Sequence, residues 1–132
     1  MCLEALAACV SAEPAEELEL PLASDAAGVW RSDCAPLAAM LLDARRSPEQ
    51  RAACLHASLA AALCAQAIAV RSATGVTQVG LCGGVFQNRI LAEAALERLT
   101  REGFQTWLPE RLPANDAAIS FGQLIETAAA TG

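Results

Sequence analysis

A chain of 132 residues with nine basic and fifteen acidic side chains carries a formal net charge of −6, which opposes capture of phosphate backbones and excludes a general nucleic-acid binder. At 55% hydrophobic and 18% charged residues it has the composition of a packed chain rather than a disordered tail, long enough for one compact domain or a piece of a larger one. Aromatics are 4% with no tyrosine, which favours alanine-rich helix packing over base-stacking platforms.

Residues 1–12 have helix-forming composition but begin without a cap, as if Met1 lay inside a helix. Residues 18–22 (LELPL) and 28–31 (GVWR) flank Ser24-Asp25 and read as a short hairpin with its proline at an edge. Asp33 is placed to cap a helix reaching about Arg46, in which Leu37, Met40, Leu41 and Ala44 share one face. Ser47-Pro48-Glu49-Gln50 is a strong helix start, with Ser47 as N-cap, Pro48 at the first helical position and Gln50 placed to close a capping box. The helix should run from 48 to about 72 and end before Gly75, with Leu55, Leu59 and Leu63 as a ridge among small alanines. Residues 52–70 lack Asp, Glu, Lys and Arg and are about long enough to cross a bilayer. Alanine contributes little transfer energy, however, and His56, Ser58 and Gln66 interrupt the run, so a helix buried inside a protein is expected, with no membrane partner.

Thr77 to Cys82 alternates like a short strand and runs into Gly83-Gly84, after which a helix over about 86–101 directs Phe86, Ile90, Leu91, Ala94 and Leu99 inward. Glu97 and Arg101 form an i, i+4 pair on it, and Gly103 stops it. Phe104 to Leu108 is the next strand, and Asn115 or Asp116 caps a last helix with Ile119, Leu124 and Ile125 on its apolar side. Strands alternating with helices predict an α/β fold with part of the sheet parallel.

Two places can carry chemistry. The Gly83-Gly84 turn joins a strand to a helix N-terminus, where free backbone N–H groups suit an anion or, as plainly, tight packing. Asn115-Asp116 opens at the same sheet end, where a carboxylate can bind a metal or cap its own helix. Asn88 can reach a ligand over the glycine turn or face solvent. His56 is expected to be a partly buried packing residue, and Cys82 a small side chain ending a buried strand rather than a catalytic thiol. The six cysteines, Cys2, Cys9, Cys34, Cys54, Cys64 and Cys82, have no CxxC pair and read as reduced, mostly buried cytosolic thiols rather than zinc ligands.

The segment LCGGVFQNRILAEAALERLTREGFQTWLPERLPANDAAISFGQ resembles the C-terminal end of the HypF family, the carbamoyltransferases of nickel–iron hydrogenase maturation. MCLEALAA and CLHASLAAAL resemble that family too, so the likeness reaches from the start of the chain to about Ile125. The resemblance implies the second lobe of a Kae-like carbamoyl-transfer domain: a partial ASKHA lobe, actin-like and ribonuclease H-like, with a short, mostly parallel sheet packed by several helices. Residues 1–132 would then form a single partial domain, with a helix, hairpin and helix over 1–47 and the nucleotide-binding helix-strand-helix-strand-helix over 48–132. It further implies ATP and carbamoyl-adenylate as ligands, with Gly83 and Gly84 against the nucleotide and Asn88 near its sugar or base. Asp116, supported by Asn115, would help hold a divalent metal. The chemistry implied is cytoplasmic: a carbamoyl group passes from carbamoyl-adenylate, made from carbamoyl phosphate and ATP, to the C-terminal cysteine of HypE.

The family places an acylphosphatase-like domain, a zinc-binding region, a YrdC-like domain and a first lobe with an HxxxH metal-binding helix ahead of this lobe, and 132 residues cannot hold them. A truncated or separately encoded HypF tail is therefore expected, inactive alone and completed by other HypF parts or by self-association. The alternatives are a non-catalytic interaction domain or gene remnant that keeps the fold, and an unrelated α/β domain whose glycine turn holds another anion. Ala117 and Ala118 stand where the family usually has two glycines, and Cys82 where it commonly has a small residue such as serine.

Overall fold

The computed structural model describes residues 2–9 and 15–130. Its spine is helix α3, Pro48–Thr74, opened by a complete capping box: Ser47 Oγ accepts from the Gln50 N–H at 3.2 Å, and Gln50 Oε1 accepts from the Ser47 N–H at 2.9 Å. Gly75 ends it at φ 77°, its N–H donating to the Arg71 carbonyl at 2.8 Å. By length and hydropathy α3 could cross a membrane. In this fold the helices over 2–7, 35–42 and 89–101 pack against it, and it buries Ala52, Cys54, His56, Ser58, Ala60 and Cys64.

Helix α1, Cys2–Ala7, lies against α3 and α4 (Arg89–Arg101); the rest of the helix expected over 1–12 falls partly on residues 10–14, outside the described residues. The expected hairpin forms, but later in the chain. Strands β1 (Leu22–Ser24) and β2 (Trp30–Ser32) pair antiparallel with Leu22 opposite Ser32. Asp25 sets the turn by accepting from the Ala27 and Val29 N–H groups at 2.9 and 3.0 Å, with Gly28 at φ 78°. Leu18 and Leu20 are thereby left outside the strand: the Leu18 N–H donates to Ser58 Oγ on α3 at 2.9 Å, and Leu20 is buried.

Helix α2, Ala35–Leu42, is shorter than its apolar spacing predicts and ends four residues before Arg46. Asp33 Oδ1 accepts from the Ala35 N–H at 2.9 Å, although Cys34 occupies the N-cap position. At the other end Asp43 accepts from the Arg45 N–H at 3.1 Å and pairs with the Arg45 guanidinium at 2.8 Å, offering the backbone an alternative to another helical turn. Arg46 is meanwhile drawn to Glu16, and Ala44 stays exposed. One core cluster unites Leu20, Leu37, Met40 and Cys54 beneath α2 and α3.

The second half is a strand–helix–strand unit. Strands β3 (Gln78–Gly80) and β4 (Gln105–Trp107) pair parallel with Gln78 opposite Gln105, and α4 connects them. The second core cluster joins α3, α4 and the sheet through Cys64, Leu81, Ala95, Leu99 and Phe104. Arg71 covers this cluster with its guanidinium 4.1 Å from the centre of the Phe104 ring. Gly103 at φ 79° ends α4, and Glu97 pairs with Arg101 as the spacing predicts.

Helix α5, Ile119–Ala130, departs from expectation. Its apolar residues Ile119, Phe121, Leu124 and Ile125 are all exposed, Leu124 by 69%, and among the described residues the main packing of the helix is against the short turn Asp116–Ala118 ahead of it. The cysteine expectation also needs correction: Cys54 and Cys64 are buried, but Cys9, Cys34 and Cys82 are exposed, and all five are free. Burial pushes the Cys64 thiol above its usual range.

Candidate functional site

The parallel pair sets the position of the glycine turn. Beyond β3 the Leu81 N–H still donates to the Trp107 carbonyl at 2.8 Å, which extends the ladder up to the turn. Gly83 then adopts φ 107° and ψ 155°, a region that L side chains essentially never occupy. Its N–H donates to the Ala114 carbonyl at 2.5 Å. This bond draws the loop after β4 onto the glycine turn, and a Cβ added to Gly84 would lie 3.9 Å from Asn115 Cβ. Gly83, Gly84 and Asn115 therefore meet at one end of the sheet. Asn115 Oδ1 accepts from the Ala117 N–H at 3.0 Å and caps the short turn Asp116–Ala118 ahead of α5. Asp116 is exposed beside it.

The turn does not lead straight into a helix, as the sequence had implied. A 3-10 turn, Gly84–Gln87, comes first, held by Phe86 N–H to Gly83 O and Asn88 N–H to Val85 O, both at 3.1 Å. Helix α4 starts only after Asn88, and its N-terminus is already served by the chain. Asn88 Oδ1 accepts from the Leu91 N–H at 3.1 Å, and Glu4 Oε1, from α1, accepts from the Arg89 N–H at 2.8 Å. An internal carboxylate thus occupies the positive end of the α4 dipole. The N–H groups left for an external anion are those opening the 3-10 turn, which has no intrahelical partners for them.

Asn88 is half-buried and committed on both sides of its amide. Its Nδ2 lies 2.7 Å from His56 Nε2, while His56 Nδ1 lies 2.7 Å from the Ala52 carbonyl. His56 is only 5% exposed, more deeply placed than a partly buried packing residue, and is hydrogen-bonded through both nitrogens. A histidine amid alanines on α3 was the available signal for this link, but periodicity cannot place it opposite a residue 32 positions later. Nothing in the spacing pointed to Glu4.

Cys82 is exposed, not buried at a strand end, and an open, mainly apolar cleft of about 400 Å³ runs past it along β3 and α3. Among the described residues no group of three His, Cys, Asp or Glu side chains converges as a metal site would require. Asp116 supplies at most one ligand, so a metal held at this edge would take its other ligands from elsewhere.

Comparison with known proteins shows the family of the chain. The family described as carbamoyltransferase, Kae1-like domain, second subdomain, matches residues 1–123. Carbamoyltransferase HypF2 of Cupriavidus necator is 37% identical over 100 residues, covering 72% of this chain and 12% of its own length. Carbamoyltransferase HypF of Rhodobacter capsulatus is 41% identical over 97 residues, covering 74% of this chain and 13% of its own length. A crystal structure of full-length HypF in a phosphate- and nucleotide-bound form superposes with a TM-score of 0.79 at 29% identity, over 92% of this chain and 16% of that one. The chain thus spans a small fraction of the proteins it matches. It belongs to the HypF carbamoyltransferase family, as the second subdomain of the Kae1-like domain.

Proposed function

We propose that this chain supplies one wall of a nucleotide site in HypF-type carbamoyl transfer and works together with a first subdomain on another chain or another part of the same protein. The observation that carries this reading is the bond from the Gly83 N–H to the Ala114 carbonyl, which joins the glycine turn and the Asn115-Asp116 loop into a single edge. Gly84, exposed and without a side chain, lets phosphate oxygens reach the backbone of the 3-10 turn. Asn88 would meet the sugar or base, and Asp116 would offer one carboxylate to a divalent metal whose other ligands come from elsewhere.

The reaction is transfer of a carbamoyl group from carbamoyl-adenylate to the C-terminal cysteine of a HypE-type acceptor, in the cytoplasm, during hydrogenase maturation. This chain binds and orients the adenylate in that reaction. Excluding water from a labile adenylate requires a cleft closed from two sides, so the wall alone is not expected to turn over. The bare apolar face of α5 favours a second reading in the same family, a non-catalytic docking domain that keeps the fold.

Titration of ATP into the 15N-labelled chain separates the two. The proposal expects saturable shifts at residues 83–88 and 114–118 with a roughly millimolar dissociation constant, abolished by Gly84→Val. No shifts, or shifts confined to other elements, would favour the docking reading.

A further inference from the structure

We infer that His56 is a positioning residue for Asn88, fixing which end of the Asn88 amide faces α3 and which caps α4. The protein has a single histidine, and it is buried on the spine helix. A carbonyl oxygen can only accept, so the 2.7 Å contact to Ala52 requires the hydrogen of the neutral ring to sit on Nδ1. Nε2 must then accept. The atom of Asn88 that can donate to it is Nδ2, at 2.7 Å, which leaves Oδ1 facing the Leu91 N–H at 3.1 Å.

Reversing the amide would set an oxygen against a lone pair and an NH2 group against an N–H, and both hydrogen bonds would be lost. A backbone carbonyl on α3 thus dictates, through the ring, the first hydrogen bond of α4. Asn88 still has one N–H and one oxygen lone pair in reserve. Their order is fixed by the same relay, so a ligand at the glycine turn meets a preset donor and acceptor rather than a rotating amide. This last consequence rests on the nucleotide reading above; the relay itself does not.

The test uses the whole chain. Ring-nitrogen spectra of the 15N-labelled protein contain one imidazole, which should be the neutral Nδ1–H form with Nε2 as acceptor. His56→Gln returns an acceptor near the Nε2 position, whereas His56→Leu does not. Hydrogen exchange at the Leu91 amide should stay within about threefold of the parent in His56→Gln and rise about tenfold or more in His56→Leu, and ATP affinity should follow the same order. Asn88→Asp keeps the cap but turns the donor facing Nε2 into an acceptor, so it should draw a proton onto Nε2; this decides the matter even if His56→Leu fails to fold. An Nε2–H ring in the parent, equal effects of Gln and Leu, or an unchanged ring in Asn88→Asp would each overturn the inference. A parent chain that binds no ATP would sink the nucleotide reading alone, and the ring spectra and Leu91 exchange would still decide this one.

Discussion

Gly83 and Gly84 are adjacent, yet the structure asks different things of them. Gly83 sits at φ 107° with no atom within 4 Å of an added Cβ, so Gly83→Ala meets no clash and its whole cost is backbone strain. A side chain held in that region costs on the order of 1–3 kcal/mol. Gly84 has no positive φ, and its added Cβ would make only an ordinary contact with Asn115 at 3.9 Å. Gly84→Ala should therefore change stability by less than about 0.5 kcal/mol. Urea unfolding followed by the fluorescence of Trp30 and Trp107 reads both variants. With a slope of about 1–3 kcal/mol per molar, Gly83→Ala should lower the midpoint by about 1 M and leave the slope unchanged, while Gly84→Ala stays near the parent. Equal midpoints, or the reverse order, would refute the claim that only Gly83 is required by backbone geometry.

Leu99 is 1% exposed in the cluster with Leu81 and Phe104, so Leu99→Ala should cost about 2–5 kcal/mol by denaturant unfolding. Leu124→Ala, on the bare face of α5, should cost less than about 0.5 kcal/mol in the same assay. Arg45 holds the Asp43 carboxyl down to about 2, chiefly through the side-chain hydrogen bond. Since the folded value lies below the usual 3.8, the pair stabilises the fold at neutral pH and this contribution drains away as pH falls from about 4 through about 2. Asp43→Asn should flatten the stability profile over that window, and an unchanged profile would contradict the pairing. The apolar stripe of α5 should drive self-association that Leu124→Glu reverses; a monomer at high concentration by light scattering with size-exclusion chromatography would contradict it.

Local chemistry was legible wherever neighbouring residues decide it. The Ser47-Pro48-Gln50 start, the Gly75 stop, the Glu97–Arg101 pair and the parallel strands flanking α4 all follow from short-range pattern. Misplacements arose where a side chain competed with the backbone: Asp25 moved the hairpin, and Asp43 ended α2 early. The candidate site was legible as two motifs at one sheet end, because parallel pairing carries the loops after β3 and β4 to the same side. The bonds that join or occupy it were not legible, since Gly83 to Ala114, His56 to Asn88 and Glu4 to Arg89 each span long stretches of chain and leave no periodic trace. The outward face of α5 was missed for a related reason. Spacing reports that a helix has an apolar side, but not whether anything lies against it.

This chain is expected to be a working second subdomain that needs the rest of a HypF-type protein. A chimaera tests it most directly: Cupriavidus necator HypF2, 37% identical over the matched stretch, with its corresponding segment replaced by this chain. Carbamoyl-phosphate-dependent release of pyrophosphate from ATP, followed by carbamoylation of the acceptor thiol, is the measurement. Turnover by the chimaera is expected, with strong impairment of the carbamoylation step by Gly84→Val and no turnover by the isolated chain. A folded chimaera that transfers no carbamoyl group, or turnover by the isolated chain, would contradict it.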